Sequence, residues 1–379
     1  MTRPPLHIMI LTGEPSGDFH AAPLIRALRS LVPGVRISGI GGPAMTEAGA
    51  DIFYPIDRLS AMGLVQVIRQ FSSIRRAYDL VRHRLKNDRP DAVVLIDYPG
   101  FNLRVAEQIN RSIPVCYYIA PKVWAWNASR LSKIKAYVDH VALILPFELP
   151  IYKKKQIPAS YVGNPLMDEY PVTFPAPGKK ESRSAPVIGL LPGSRASEVG
   201  KLLPVMLDAA AAIGELLPRA RFLVSSGTAA HAEKIRQMVD GHPCRNRVTV
   251  VRGRPGTIFQ KADMAVAASG TVTLEAALCG LPTIIVYKVS PLTYRLGKRL
   301  VKVKYVGLAN LIVGREVMPE LLQSEASPGQ ISRTAMAMVH SLDRHRRNLL
   351  EVRRRLGTPG APARTAKIVY SLIRSRADQ

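Results

Sequence analysis

Two doubly wound α/β domains, each built on a parallel sheet and facing the other across a cleft, are the architecture this sequence predicts. Three observations predict it. Short apolar runs rich in β-branched residues alternate with helical-period stretches along the whole chain. The runs are continuously apolar rather than alternating, the pattern of strands buried on both faces of a parallel sheet. They also fall into two series, separated by PVTFPAPGKKESRSAP (171–186), whose Pro, Ser and charge read as a linker.

The first series supplies strands at HIMILTG (7–13), VRISGIGG (35–42), DAVVLID (91–97), VCYYIAP (115–121) and HVALILPF (140–147), with helices beginning near Asp18, Pro43, Asn102 and Ser129. The second supplies PVIGLLPG (186–193), ARFLVSSG (220–227), NRVTVVRG (246–253), ADMAVAAS (262–269) and LPTIIVYK (281–288), each followed by a helical stretch. Three basic helical segments close the chain, at about 329–342, 344–356 and 362–376, punctuated by Pro359 and Pro362. The expected domains are 1–170 and 187–342, joined by the linker at 171–186.

A chain of 379 residues is long enough for two such domains. Its 47% hydrophobic and 21% charged residues exclude wholesale disorder, a collagen-like repeat and a disulfide miniature. Three scattered cysteines, Cys116, Cys244 and Cys279, make no C-x-x-C pair and fit a reducing cytoplasm. No export signal is read at the N-terminus, and no window of about 18–20 apolar residues reads as a membrane span. Lys and Arg outnumber Asp and Glu 53 to 28, a net charge of +25. Such a surface attracts nucleic acid, an anionic membrane face or phosphorylated substrates, and charge alone does not choose among them.

In open parallel sheets, ligands sit outside the carboxyl ends of the strands, where strand order reverses. The loop Gly13-Glu14-Pro15-Ser16-Gly17-Asp18 follows the first strand and opens a helix. Its glycines and helix start suit an anion or a sugar; as an ordinary turn, Ser16 or Asp18 would cap the helix. Asp97 ends the apolar run AVVLI at a strand lip, where partial desolvation raises a carboxyl towards general-base duty. The plain alternative makes it a helix cap, a place for which Asn102 is better spaced. Trp124 and Trp126 flank a strand end beside Lys122, as sugar-stacking rings or as core. In the second half, Ser194 and Arg195 follow VIGLLPG, and the guanidinium fork suits phosphate oxygens. Ser269-Gly270-Thr271-Val272-Thr273-Leu274-Glu275 opens a helix whose free N–H groups suit a diphosphate, with Glu275 one turn in, placed either for ribose hydroxyls or for the helix dipole.

Absences narrow the chemistry. There is no P-loop, no H-E-x-x-H and no Cys/His cluster, so neither a P-loop nucleotide site nor zinc is expected. No D-x-D occurs, so a nucleotide-sugar diphosphate would be neutralised by Arg195 and a helix dipole rather than by acid-held metal. Met62, Leu64, Val65, Val67 and Ile68, followed by a run of arginines, read as an apolar patch flanked by cations, either interfacial or the buried face of an amphipathic helix. Five cations in residues 295–304 read as a solvated face or as a phosphate or lipid contact.

The motifs GEPSGD (13–18), GIGGPAM (39–45), MGLVQV (62–67), IDYPGFN (96–102), PKVWAWN (121–127), LPFE (145–148), VGNP (162–165), LPGSR (191–195), SGTVTLEAALCGLP (269–282) and RLVKVKYVGLANLIVGRE (299–316) together resemble the lipid-A-disaccharide synthase family, in order and over nearly the whole chain. The resemblance implies a metal-independent, inverting glycosyltransferase of GT-B type, without cofactor. It would condense UDP-2,3-diacylglucosamine with 2,3-diacylglucosamine 1-phosphate to a β(1→6) disaccharide 1-phosphate and UDP. It implies Asp97 as the base on the acceptor 6-hydroxyl and Arg195 on the diphosphate. Thr271, Thr273, Glu275 and Asn310 would line the UDP site, and Glu14, Ser16 and Asp18 the acceptor side. Gly100 stands where some members carry a second acid, which leaves Asp97 to act alone. The resemblance also implies a protein peripheral to the inner face of the bacterial inner membrane, with 343–379 packing back on the N-terminal domain. Expected partners are the two acylated sugars, an anionic membrane surface and a second copy in a homodimer, with no nucleic acid. The rival enzymes are another GT-B UDP-N-acetylglucosamine transferase or a UDP-sugar epimerase. A basic nucleic-acid binder is the rival of another class, without an RNP, helix-turn-helix or finger signature to support it.

Overall fold

The computed structural model describes residues 5–59, 66–125, 128–170, 185–227, 229–253, 255–290, 294 and 303–377. The chain forms two compact units, one of Met1–Asp168 with Thr358–Gln379 and one of Glu169–Gly357.

The first unit carries seven parallel strands: β1 (His7–Leu11), β2 (Arg36–Gly41), β3 (Asp51–Pro55), β4 (Ala92–Ile96), β5 (Val115–Tyr118), β6 (His140–Leu143) and β7 (Ala159–Tyr161), in the order β3-β2-β1-β4-β5-β6-β7. β1, β4 and β5 are buried at every position, as their unbroken apolar runs require. Alternate residues serve opposite faces. Ile8 and Ile10 pack with α1 (Pro15–Leu31) and the C-terminal helix Ala361–Ala377. Met9 and Leu11 face the other layer, formed by α3 (Gln66–Asn87), α4 (Pro99–Ile109) and α5 (Arg130–Tyr137). The helix after β1 thus covers one face and the helix after β4 the other, so the loops after these two neighbouring strands part.

The second unit repeats the plan with six parallel strands: β8 (Val187–Leu191), β9 (Arg221–Ser225), β10 (Val248–Val251), β11 (Met264–Ala268), β12 (Thr283–Tyr287) and β13 (Glu320–Leu322), in the order β10-β9-β8-β11-β12-β13. α8 (Ala196–Leu216) and the helix Pro328–Val339 cover the face that carries Ile188, Leu190 and Val266. α11 (Thr271–Leu278) packs against β11, β12 and the helices Leu308–Val313 and Leu342–Leu356. Order reverses between β8 and β11, as it does between β1 and β4.

Three expectations change. Strands β3, β7 and β13 join as sheet edges, and helices start earlier than expected at Pro15 and Pro99. The C-terminal segment divides: Leu342–Leu356 packs on α11 in the second unit, and the chain re-enters the first only at Thr358. Buried Leu349, Val352 and Leu356 anchor that helix there, together with the buried Arg353, which bonds to the carbonyls of Leu278 and Tyr170. Most of the linker segment, 171–184, lies outside the described residues.

One glycine marks how tightly the first sheet closes. Gly39 pairs with Ile10, at a register shift between Gly39 and Ile40 in the pairing with β3. A Cβ there would overlap the Ile10 carbonyl oxygen, a backbone atom that cannot rotate away. Gly39→Ala should cost about 2–3 kcal/mol of unfolding free energy through overpacking, read as a lowered urea midpoint; an unchanged midpoint would mean that β1 and β2 part without cost.

Candidate active site

In the first unit, the two loops that part at the order reversal are Thr12–Glu14 after β1 and Asp97–Tyr98 after β4. Asp97 and Tyr98 both take left-handed backbone angles, φ 47° and 46°. Two such residues together, neither of them glycine, store about 1–3 kcal/mol each and persist only where surroundings impose them. Asn102 imposes them here. It is fully buried, and its Nδ2 donates to the carbonyls of Asp97 at 2.7 Å, Ile96 at 3.2 Å and Leu11 at 3.4 Å. Tyr117 donates its hydroxyl to the same Asp97 carbonyl at 2.8 Å. Asn102 therefore ties β1 to β4 from inside the first turn of α4 rather than capping that helix, whose cap position is Tyr98.

The Asp97 carboxyl is half-buried, and burial raises it above the ordinary aspartate value, with the charges of Lys122 and Arg130 and a backbone bond from Tyr98 pulling the other way. The ring of Tyr98 lies over Gly13, where a Cβ would overlap it, so the glycine is required by close approach. Glu14 and Ser16 are exposed at the start of α1, with Glu14 at the cap position, and the charge of Glu14 acts on the Tyr98 hydroxyl. Asp18 does something else. It is buried, and its carboxylate accepts the backbone N–H groups of Gly42 at 2.7 Å, Ala44 at 3.0 Å and Met45 at 3.1 Å. It builds the loop after β2, and neither it nor Ser16 caps α1.

Beside Asp97 runs the loop of Lys122 and Trp124. The Trp124 indole N–H donates to Glu148 Oε1 at 2.9 Å and stands edge-on to Phe147, ring centroids 5.1 Å apart. Glu148 is 2% exposed, and desolvation pushes its carboxyl up to about 7. In the sequence this acid is marked only as the charge that ends LPFE (145–148). Trp126 lies outside the described residues. So do Met62, Leu64 and Val65 of the apolar patch, while Val67 and Ile68 fall in α3 with side chains that are not described.

In the second unit, Ser194 and Arg195 are exposed in the loop after β8. Glu198 shapes this loop. Its Oε2 accepts the backbone N–H groups of Ser194 at 3.2 Å and Arg195 at 3.4 Å, and its Oε1 meets the Arg195 guanidinium at 3.1 Å. Arg195 keeps 59% of its side chain exposed, so this surface pair is weak and open to exchange for a stronger anion. At the neighbouring strand end, Gly270 and Thr271 are exposed at the start of α11, where the first N–H groups of a helix have no intrahelical acceptor. Thr273 is buried and donates to the Gly270 carbonyl at 2.8 Å, which fixes the turn at the start of α11. Glu275 is half-buried and accepts the hydroxyl of Tyr170 at 3.0 Å.

Asn310, expected at the nucleotide site, is bonded within its own unit. It is fully buried; its Nδ2 donates to the Met318 carbonyl and to Glu320 Oε1, both at 2.7 Å, and its Oδ1 accepts from Val317 and Met318. The amide thus makes all four of its hydrogen bonds within the protein. With Glu320, which also accepts from Val306 and Gly307, it holds the loop that carries the Val306 carbonyl near Ser269. Among the described residues, no three His, Cys, Asp or Glu side chains are grouped to hold a metal, and no helix is long and apolar enough to cross a membrane.

A family model described as lipid-A-disaccharide synthetase matches residues 8–359. The chain is 40% identical to the lipid-A-disaccharide synthase of Trichlorobacter lovleyi over 377 residues, which is 97% of this chain and 98% of that one. It is 37% identical to the synthase of Coxiella burnetii over 382 residues, with the same coverage. Among solved structures, the fold resembles MurG of Acinetobacter baumannii, at TM-score 0.62 and 17% identity over 97% of this chain and 100% of that one. It also resembles the UDP-GlcNAc 2-epimerase of Neisseria meningitidis bound to UDP-GlcNAc, at TM-score 0.62 and 11% identity over 98% and 100%.

Glu148 gives this region a pH signature. Between about 4.5 and about 7 the folded state keeps Glu148 protonated while the unfolded chain ionises it, so its contribution to stability is complete at low pH and is lost as pH rises to neutrality, by about 3 kcal/mol. Urea unfolding from about pH 5 to pH 7.5 should show a flatter pH dependence in Glu148→Gln than in the parent; equal slopes would put that proton elsewhere.

Proposed function

Because the chain belongs to the lipid-A-disaccharide synthase family, we propose that it joins UDP-2,3-diacylglucosamine to 2,3-diacylglucosamine 1-phosphate, releasing the β(1→6)-linked disaccharide 1-phosphate and UDP. Membership makes it a glycosyltransferase of lipid A biosynthesis acting on UDP-sugar-type substrates. The proposal adds the two acylated sugars, the inverting stereochemistry and the residues.

The observation that carries it is the division of chemistry between two sheet ends. Single displacement at an anomeric carbon needs a base for the attacking hydroxyl and relief of charge on the leaving diphosphate. Asp97, half-buried on an enforced turn, meets the first need. Its carboxylate takes the proton of the acceptor 6-hydroxyl as that oxygen attacks C1 of the donor. The C1–O bond to UDP breaks, and its electron pair leaves with the diphosphate. The Arg195 guanidinium and the N–H groups at Gly270 and Thr271 meet that charge, with Glu275 on the ribose. Glu14 and Ser16 face the acceptor. Charge relief from these groups makes a metal ion unnecessary to the proposed step.

The net charge of +25 supports the same reading. Both proposed substrates are anionic amphiphiles, and a basic protein is drawn to the anionic inner face of the bacterial inner membrane where they reside. We place the enzyme there as a peripheral protein.

The test is an assay with both diacylglucosamine substrates in the presence of a metal chelator, product linkage read by NMR. A β(1→6) disaccharide and stoichiometric UDP are expected. Asp97→Asn should lose about 10²–10⁴-fold in kcat with donor binding retained, whereas Arg195→Ala should lose donor binding. Near-normal kcat in Asp97→Asn would remove the base from the mechanism, and turnover of unacylated UDP-N-acetylglucosamine alone would point to a different transferase or an epimerase.

A further inference from the structure

Tyr170 opens the second unit and directly precedes the segment outside the described residues. Each part of it is engaged. Its hydroxyl donates to Glu275 Oε2 at 3.0 Å, its ring stands edge-on to Phe259 at 6.2 Å between centroids, and its carbonyl accepts Nη2 of Arg353 at 2.9 Å. Arg353 is only 8% exposed, and its other terminal nitrogen reaches the carbonyl of Leu278, the last residue of α11, at 3.4 Å. The bonds Arg353 makes through its terminal nitrogens are to carbonyls. A guanidinium taken out of water to meet two carbonyls is costly, and the negative end of the α11 dipole offsets part of that cost. Arg353 thereby fixes the backbone of Tyr170 to the end of the helix that carries Glu275.

This chain of contacts has a consequence for the donor side. A glutamate on a helix turn has three rotatable bonds, and ordering it on binding costs rotamer entropy. We infer that Tyr170 is a positioning residue, its hydroxyl holding the Glu275 carboxylate ready to accept the ribose hydroxyls of a uridine nucleotide. Arg353 fixes Tyr170 in turn. Burial and the Glu275 charge raise the Tyr170 hydroxyl well above the ordinary tyrosine range, so it stays a donor at any working pH. The inference rests on the reading of Glu275 as a nucleotide ligand, and its test separates the two.

Tyr170→Phe keeps the ring against Phe259 and removes only the donor. Calorimetric titration of the full chain with UDP should give a dissociation constant about tenfold higher than the parent's. The donor KM should rise alike, with kcat and the acceptor KM within about twofold and the thermal midpoint lowered only by the loss of one hydrogen bond. Glu275→Ala, which removes the acceptor altogether, should weaken UDP as well, and adding Tyr170→Phe to Glu275→Ala should weaken it no further, because the hydroxyl acts only through that side chain. Weakening in Glu275→Ala but not in Tyr170→Phe would overturn the inference and leave the Glu275 reading standing. Additive losses in the double variant would overturn it too. UDP binding unchanged in Glu275→Ala would remove the nucleotide ligand itself, and the inference with it.

Discussion

One side-chain amide holds the first sheet together at the place where its two central strands must part. α1 leaves β1 towards one face and α4 leaves β4 towards the other, so the last carbonyls of both strands lose sheet partners on the side where they diverge. Asn102 answers three of them at once, at Leu11, Ile96 and Asp97. Buried carbonyls without donors would each cost about 1–3 kcal/mol. The same bonds hold Asp97 and Tyr98 in left-handed angles that neither would adopt unaided. The carboxyl that acts as base in the proposed reaction is thus aimed by the solution to a backbone problem.

The second unit meets the same topological problem with carboxylates. Glu198 collects the N–H groups of Ser194 and Arg195 after β8, and Glu320 collects those of Val306 and Gly307 beside the end of β11. Arg195 keeps only a surface pair with Glu198, open to exchange for a stronger anion, and the helix start at Gly270 and Thr271 is exposed beside it. The contrast suits the proposed division of labour: a desolvated acid where a proton is removed, and an exchangeable cation with an open helix start where charge leaves. Asp18 in the first unit follows the same carboxylate pattern, collecting the N–H groups of Gly42, Ala44 and Met45.

How much of this was legible in the sequence follows from how local each signal is. Strands buried on both faces, such as AVVLI and MAVAA, announce themselves as unbroken apolar runs. β3, β7 and β13 do not, because edge strands are short and only partly covered. Asp97 was legible as an acid at a strand end, and Arg195 as a cation after Pro-Gly. Asn102, Glu320 and Tyr170 were not, because their partners are backbone groups or side chains brought up from distant segments; Tyr170 meets Glu275 across 105 positions. Glu198 left a partial trace, an acid three residues after Arg195 at a helix start. The resemblance carried Asn310 and Thr273 over to the UDP site, and their bonds to Met318, Glu320, Val317 and Gly270, none of them visible in the local sequence, tie that site's loops together.

The central claim is that uridine diphosphate belongs to the second unit's sheet end and leaves the first unit's turn alone. Hydrogen–deuterium exchange of the full chain with and without saturating UDP measures this directly. The account predicts slowed exchange in peptides covering 192–195 and 269–275, with 97–102 unaltered. Slowed exchange confined to 97–102, with the two second-unit loops indifferent to the nucleotide, would contradict it.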